Sequence, residues 1–398
     1  MSAADALLAA SYDAAKYPFF AALQQRLRAA REGAGAGDGG SVLDRCIRDL
    51  VAGRPLSDGA AREAFEAILG GGLAEDQVGA LLALLVPDQL PASTIAAFSR
   101  VVIEKATRVR VAADVVGDTC GTGGDARGTF NVSTTIMFVL AAGGVVVAKH
   151  GNRAFTSQCG SADVLEALGV KIDLSAPQVE RCIERAGVGF LFAPNFHASF
   201  RNVQSVRKKL AEEMPDSVKR RTVFNVLGPL SNPAGATCQV VGVFDRGLTA
   251  KFADVLKLRG LRRALVPYGE PLAAGDKGFD EISIAGRTTY AELKADGAIE
   301  SKTLEPEDVG LRRVTDPDTL RGGDRAENAR ILREVLEGKA SRERTDFALI
   351  NAGAGFYVTG KAPSIAEGVR LAREVLESGK ATQKLDALRA VSHEVAST

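Results

Sequence analysis

The sequence has no long hydrophobic run and no excess of charge of one sign. Its longest apolar stretches, such as 136–147, are well short of the roughly 20 residues that a membrane-spanning helix needs, so we expect no transmembrane helix and no membrane partner. Fifty Lys and Arg residues stand against 49 Asp and Glu, a net charge of +1. No sequence-wide field therefore favours a nucleic acid or an anionic membrane as partner.

Cysteine and histidine are scarce, with five and three residues. The cysteines are odd in number, widely spread and without C-x-x-C spacing, which argues against a disulfide framework or a structural zinc site. The N-terminus shows no basic, compact apolar leader of the signal-peptide type, so we expect a cytoplasmic protein. Hydrophobic residues at 46% and charged residues at 25% are typical of a globular chain.

Apolar spacing divides the 398 residues into three regions. Residues 1–40 are predicted to be an N-terminal extension, with Phe20, Leu23, Leu27 and Ala30 on one helical face, followed by a glycine-rich linker. Residues 41–108 have helical spacing throughout and predict a small all-helical domain, which helices from about 196–222 are expected to join. Residues 109–195 and 223–398 are predicted to form a large α/β domain with a mainly parallel central sheet.

The large domain is predicted to begin with a βαβ unit. A short strand at 115–116 precedes a glycine-rich loop at 117–125, a helix begins near Ser133 and ends at 143–144, and a β-branched strand at 145–148 delivers Lys149 and His150. Parallel strands collect ligands at their carboxyl ends, where both polar segments fall. Further helices are expected at 162–168, 178–186 and from 365 to Gly379, the last with a capping-box pattern, SIAE, at 364–367. Further strands are expected at 188–192, 239–243 and 263–266.

The first polar segment is GTGGD at 121–125, followed by NVST at 131–134 at a helix start. Glycines let backbone N–H groups approach phosphate oxygens, and a helix N-terminus adds positive partial charge. A plain tight turn is the alternative. The dinucleotide fingerprint expects an acidic residue at the end of the second strand, whereas Lys149 is found there, and a cation suits a phosphate or pyrophosphate instead.

Three other segments carry candidate chemistry. KHGNR at 149–153, with hydroxyls and a second helix start after it, adds cations beside the first loop. Asp280 and Glu281 could converge on Mg²⁺ from a turn, although such a pair is usually a solvated surface. The basic segment 201–221 could hold a carboxylate or phosphate, or could be a solvated helix face.

Taken together, these motifs resemble the anthranilate phosphoribosyltransferase family. The resemblance spans about residues 43–388 and rests on GTGGD at 121–125, NVST at 131–134, KHGNR at 149–153, GSADVLEALG at 160–169, FNVLGPLSNP at 224–233 and DEIS at 280–283. It implies an enzyme that transfers the ribose 5-phosphate unit of phosphoribosyl pyrophosphate (PRPP) to the amine of anthranilate, in tryptophan biosynthesis. It also implies a homodimer that forms through the small helical domain.

The resemblance assigns roles by position in this sequence. PRPP would be held by Gly121, Gly124, Asp125, Thr129, Asn131, Ser133, Thr134, Lys149, His150, Gly151, Asn152, Arg153, Thr156, Ser157 and Ser161. Mg²⁺ would be bound by Ser133, Asp280 and Glu281, and anthranilate would face Gly121, Asn152 and Arg207. No residue is assigned as a general base, because the aromatic amine is already a neutral nucleophile.

The chain departs from the family pattern at several places. It is longer at 211–218 and at 271–277, Tyr268 stands where the family often has His, and Phe155 replaces a typically small residue. Three alternatives stay open, which rest on the acceptor's identity, on the glycine-rich phosphate loop and on the basic segment 201–221. They are a phosphoribosyltransferase for a substituted aminobenzoate, a pyrimidine nucleoside phosphorylase of related fold, and a non-enzymatic nucleic-acid-binding paralogue.

Overall fold

The computed structural model describes residues 1–33, 40–123, 127–154, 158–272 and 277–397. They form two compact units, Met1–Ala106 with His197–Leu227 and Thr107–Phe196 with Gly228–Thr398. The helices are α1 Ala3–Ala9, α2 Pro18–Arg31, α3 Val42–Val51, α4 Asp58–Gly70, α5 Glu75–Leu84, α6 Ala92–Glu104, α7 Val132–Ala142, α8 Ser161–Ala167, α9 Ala176–Ala186, α10 Ala193–Phe196, α11 Gln204–Glu212, α12 Phe224–Leu227, α13 Leu248–Leu258, α14 Arg325–Leu336, α15 Arg342–Val358, α16 Ile365–Glu377 and α17 Lys380–Ala396. The strands are β1 Val116–Gly121, β2 Val146–Gly151, β3 Val188–Phe192, β4 Cys238–Gly242, β5 Arg263–Gly269, β6 Thr288–Leu293 and β7 Ile299–Leu304. No helix of the described residues is both long and apolar enough to cross a membrane.

The first unit is helical, with α2 of the extension packed on α3 and α5. Phe20, Leu23 and Leu27 are buried as the helical spacing predicts, whereas Ala30 is half-buried. The contact with α5 is close enough that a methyl group on Gly79 would lie 2.9 Å from a Leu23 methyl. The extension is therefore an integral layer of this helical unit.

The second unit is built on a seven-stranded sheet in the order β3-β2-β1-β4-β5-β6-β7. Strands β1 to β5 pair in parallel, and β6 and β7 continue the sheet antiparallel. Helices α7 and α15 are buried along most of their length and pack on each other. A small helical unit and a large α/β unit with a mainly parallel sheet confirm the predicted fold class.

Strand β1 corrects one sequence prediction. Residues 117–121 were expected in the glycine-rich loop, but they continue the strand, because each pairs with a residue of β4 from Cys238 to Gly242. Backbone pairing with β4 along the whole stretch, and with β2 at Val116 and Gly117, outweighs the low strand propensity of glycine and aspartate. The polar loop consequently starts one strand length later, at Thr122.

Candidate active site

Neighbouring strands bring the two polar segments to one edge of the sheet. β1 ends at Gly121 and its neighbour β2 ends at Gly151. Helix α7 begins after Asn131, whose carbonyl accepts hydrogen bonds from the amides of Thr134 (3.0 Å) and Thr135 (2.9 Å). The first turn of α7 therefore lies beside the strand ends, where its amides attract an anion.

Lys149 is the buried cation of this edge. Its side chain is 2% exposed, and its ammonium donates hydrogen bonds to the Thr119 carbonyl and, at 3.3 Å, to Ser133 Oγ. Burial lowers the Lys149 pKa, and the charges of Asp118 and Glu281 oppose that shift. The lysine is thus fixed between β1 and the start of α7, as a charged partner for a phosphate requires.

Asp118 is the buried counter-charge of Lys149. It accepts hydrogen bonds from the His150 amide (3.3 Å) and from Gln239 Nε2 (3.2 Å). Burial raises the Asp118 pKa, while Lys149 lowers it. His150 Nδ1 lies 3.1 Å from the Gly228 carbonyl oxygen. The imidazole therefore connects the end of β2 to the backbone at residue 228.

The predicted metal carboxylates face the glycine-rich loop. Asp280 Oδ2 accepts a hydrogen bond of 2.5 Å from the Gly123 amide, and Glu281 Oε2 accepts one of 3.1 Å from the Thr129 hydroxyl. A methyl group on Gly121 would overlap the Asp280 carboxylate, so only glycine lets β1 end this close to it. The structure therefore brings the carboxylate pair and the first polar loop together.

The donors fit a hard divalent cation. Asp280 and Glu281 supply carboxylate oxygens, and Glu281 acts electrostatically on Lys149, which contacts the Ser133 hydroxyl. Within the described residues no group of three or more His, Cys, Asp and Glu side chains could enclose a metal ion. Mg²⁺ in proteins keeps waters and phosphate oxygens as ligands, so a partial protein shell of this kind suits it.

The second polar loop is held to α8. The amides of Ala154 and Gly160 donate to Asp163 Oδ2 at 2.9 and 2.8 Å, and the Arg153 guanidinium forms ion pairs with Asp163 and Glu166. Arg153, predicted to bind PRPP, is thus engaged by α8. Asn152 is exposed, its Oδ1 accepts from the Arg153 amide at 2.8 Å, and its carbonyl accepts from Ser161 Oγ at 3.3 Å. A methyl group on Gly151 would overlap Ser161 Oγ.

Arg207 belongs to the helical unit, on α11. Its guanidinium lies 5.2 Å from the centre of the Phe224 ring and is half-buried, and burial lowers its pKa. No carboxylate of the described residues forms an ion pair with it, whereas the neighbouring Lys209 pairs with Glu75 at 2.6 Å. Arg207 is therefore a positive charge held in a partly desolvated position without a counter-ion from the described chain.

Of the remaining predicted residues, some are described by the structure and others lie outside its described residues. Thr134 is fully buried, and its hydroxyl has no hydrogen-bond partner among the residues described, while Asn131 Nδ2 donates to the Cys159 carbonyl at 3.2 Å. Gly124, Asp125, Thr156 and Ser157 lie outside the described residues, as does Phe155.

Asp118, Thr119 and Gln239 were not predicted as site residues, yet Thr119 and Asp118 bind Lys149 and the His150 amide, and Gln239 binds Asp118. The sequence does contain an indication for Gln239. It is a polar side chain within the otherwise apolar run 238–243, whose strand is buried, and a buried polar side chain needs a hydrogen-bond partner.

Comparisons with known proteins show which family the chain resembles over both units. The model of the glycosyl transferase family a/b domain matches residues 113–382, and that of the family's helical bundle domain matches 45–106. An anthranilate phosphoribosyltransferase of Rubrobacter xylanophilus is 49% identical over 89% of this chain and 99% of its own length, and one of Desulfosudis oleivorans is 42% identical over 87% and 98%.

Two solved structures extend the similarity to the fold. The anthranilate phosphoribosyltransferase of Thermus thermophilus has a TM-score of 0.77 at 39% identity and covers 87% of this chain and 99% of its own. That of Saccharomyces cerevisiae in complex with PRPP and Mg has a TM-score of 0.76 at 27% identity, over 89% and 98%.

Proposed function

Because the chain belongs to the anthranilate phosphoribosyltransferase family, we infer that it transfers the 5-phosphoribosyl group of PRPP to the amine of anthranilate. The products are N-(5-phosphoribosyl)anthranilate and pyrophosphate, and the reaction is a step of tryptophan biosynthesis. The enzyme is a Mg²⁺-dependent pentosyl transferase. One observation of the site carries the inference: the buried Lys149 ammonium joins Thr119 of β1 to Ser133 of α7.

We propose that the edge formed by β1, β2 and the start of α7 binds PRPP. The support is its electrostatics, since a buried cation and the amides of a helix N-terminus lie together there and both favour phosphate oxygens. The PRPP residues in this proposal are Gly121, Gly124, Asp125, Thr129, Asn131, Ser133, Thr134, Lys149, His150, Gly151, Asn152, Arg153, Thr156, Ser157 and Ser161.

The metal in this proposal is held by Asp280 and Glu281, with Ser133 as the hydroxyl ligand. When bound, Mg²⁺ neutralises charge on the pyrophosphate as it leaves. Both carboxylates are oriented by groups of the glycine-rich loop, Asp280 by the Gly123 amide and Glu281 by the Thr129 hydroxyl. The same loop thus serves the donor and the metal.

The chain's own residues act by charge and position. Cleavage of the bond from ribose C1 to oxygen passes through an oxocarbenium-like state, while negative charge grows on pyrophosphate. Lys149 and the first turn of α7 stabilise that charge without reorganisation, because their positions are already fixed. The aromatic amine attacks as a neutral nucleophile, so the protein needs to orient it but not to deprotonate it first.

We propose that Arg207 recognises the carboxylate of anthranilate, together with Asn152 and the Gly121 backbone. A half-buried guanidinium that meets no carboxylate in the described chain gains most from a charged ligand, because a charge-assisted hydrogen bond is stronger there than in water. The Phe224 ring, whose centre lies 5.2 Å from the guanidinium, restricts where this group can lie, and a planar guanidinium suits bidentate binding of a planar carboxylate.

We further propose a homodimer formed through the helical unit, in the cytoplasm. The family resemblance supports the dimer, and the five free thiols are the state that a reducing compartment maintains. Light scattering should give about twice the mass of the 41.7 kDa chain. Deletion of residues 1–40 should alter that mass or the kinetics, since α2 packs on α3 and α5 of the same unit.

Product analysis tests the proposed reaction. Purified protein with PRPP, anthranilate and Mg²⁺ should release one pyrophosphate for each anthranilate consumed, and the product should carry the mass of phosphoribosylanthranilate. Pyrophosphate release that does not depend on anthranilate would contradict the transfer, because it would indicate hydrolysis of PRPP.

A further inference from the structure

The short segment that leads into the carboxylate pair is held by two side chains that have had no role so far. Gly278 and Phe279 immediately precede Asp280 and Glu281. Arg127, which lies between Gly123 and Thr129 in the loop that joins β1 to α7, and Tyr268, near the end of β5, both contact this segment. Neither was among the residues predicted to bind substrate or metal.

Arg127 contacts the segment at two points. Its Nε donates a hydrogen bond of 2.7 Å to the Lys277 carbonyl, and its guanidinium lies 5.0 Å from the centre of the Phe279 ring. Phe279 itself is 1% exposed, so the ring offers the cation a fixed face. One side chain therefore fixes both the backbone and the ring beside Asp280.

Tyr268 packs on the segment from the strand side. A methyl group on Gly278 would overlap the Tyr268 ring. Burial raises the pKa of the Tyr268 hydroxyl, and the Gly278 backbone acts on it in the opposite direction. The next residue of β5, Gly269, exchanges backbone hydrogen bonds of 2.9 and 2.8 Å with Phe279. The segment is thus aligned along the end of β5 as well as on Arg127.

We propose that Arg127 and Tyr268 form a clamp that positions Asp280 and Glu281 for Mg²⁺, and that the clamp couples the metal site to the glycine-rich loop. Lys277, Gly278 and Phe279, which directly precede the carboxylate pair, are held by these contacts. Contacts directly before the pair restrict its conformations before the metal binds, which reduces the conformational entropy lost in the metal-bound state.

The coupling follows from where the contacts originate. Arg127 follows the segment that contains Gly123, and Thr129 lies two residues further on. Gly123 and Thr129 hydrogen-bond Asp280 and Glu281. Three residues of one loop therefore contact successive parts of the carboxylate segment. Arg127 and Tyr268 are positioning residues, because they act through Asp280 and Glu281 and do not bind the metal themselves. The clamp rests on the metal site proposed above.

A Mg²⁺ titration of thermal stability at saturating PRPP tests the clamp. Arg127→Ala should raise the Mg²⁺ concentration at half-maximal stabilisation about tenfold, the effect expected from losing one hydrogen bond and one cation–π contact. The control Arg185→Ala removes an exposed guanidinium that pairs with Glu394 on α17, and it should leave the Mg²⁺ midpoint unchanged. Arg127→Lys, which keeps the charge and one donor, should recover part of the loss.

Two further measurements separate positioning from folding. Without ligand, Arg127→Ala and Arg185→Ala should have melting temperatures within about 2 °C of the unchanged protein. Amide exchange over 277–283 should be faster in Arg127→Ala alone. If Arg127→Ala does not fold, Tyr268→Phe removes only the hydroxyl and should raise the Mg²⁺ midpoint about threefold.

The outcomes distinguish the clamp from the metal site itself. If the unchanged protein shows no Mg²⁺-dependent stabilisation, the proposed metal site is wrong and the clamp with it. If the unchanged protein responds to Mg²⁺ and Arg127→Ala responds at the same midpoint, the metal site stands and the clamp is overturned.

Discussion

Replacement of Arg207 by alanine tests how the acceptor is recognised. The guanidinium is half-buried on α11, rests on Phe224 and has no ion-pair partner in the described chain. A charge-assisted hydrogen bond contributes about 1.5–3 kcal/mol, and each 1.4 kcal/mol corresponds to about tenfold. Arg207→Ala should therefore lower kcat/KM for anthranilate about 10- to 100-fold, with the KM for PRPP unchanged.

Aniline, which lacks the carboxylate, provides the second arm of a thermodynamic cycle. Arg207→Ala should change kcat/KM for aniline by less than about twofold, because the lost interaction is absent from that substrate. The matched control Lys208→Ala removes an exposed cation on α11 whose ammonium lies 3.9 Å from Glu212. It should leave kcat/KM unchanged for both anthranilate and aniline.

Protein stability provides a check on the same experiment. Because burial lowers the Arg207 pKa, the charged form is held at a cost in the ligand-free protein, so the variant should melt within about 2 °C of the unchanged protein or above it. An equal loss of kcat/KM for anthranilate and aniline would refute the reasoning, since Arg207 would then act on the fold and not on the carboxylate.

Three other expected outcomes test the donor site and the core. Gly121→Ala adds a methyl group that overlaps the Asp280 carboxylate, so it should abolish the Mg²⁺-dependent stabilisation by PRPP. The control Gly59→Ala has open space around the added methyl group and should keep that stabilisation. An intact Mg²⁺ response in Gly121→Ala would contradict the geometry. Lys149→Met leaves the buried Asp118 without its cation and should destabilise the protein by about 3–5 kcal/mol. Adding Asp118→Asn should restore the melting temperature but not PRPP binding, and recovery of both would remove Lys149 from the donor site. Burial raises the pKa of Cys46 to about 11 and that of Cys159 to about 12. At pH 8 their thiolate fractions are therefore at least about a hundredfold below that of a free thiol, and a thiol reagent should label these two residues of the native protein correspondingly slowly. Rapid labelling of these thiols before denaturation would show that the core is open.

Local signals in the sequence predicted several elements closely. The capping pattern at 364–367 is confirmed, since Ser364 Oγ accepts a 3.1 Å hydrogen bond from the Glu367 amide at the start of α16. The apolar run 188–192 is confirmed as β3. Both signals are short-range, because a helix cap and an apolar strand are specified by neighbouring residues.

Long-range pairing accounts for what the sequence did not predict. The strand character of 117–121 depends on β4, whose residues lie more than a hundred positions later. Likewise Asp118 accepts a hydrogen bond from Gln239, 121 residues later in the chain, and Arg127 donates one to the carbonyl of Lys277, 150 residues later. The polar strand ends could be placed at one edge of the sheet by topology alone, whereas the side chains that orient Lys149 and the carboxylates required the tertiary structure.

Loss of anthranilate fluorescence tests the central claim most directly. Purified protein with PRPP and Mg²⁺ should consume anthranilate, a metal chelator should stop the reaction, and added Mg²⁺ should restore it. The double variant Asp280→Asn, Glu281→Gln should be inactive at the Mg²⁺ concentration that saturates the unchanged protein. Consumption that continues in chelator, or no consumption under any of these conditions, would contradict a Mg²⁺-dependent transfer to anthranilate.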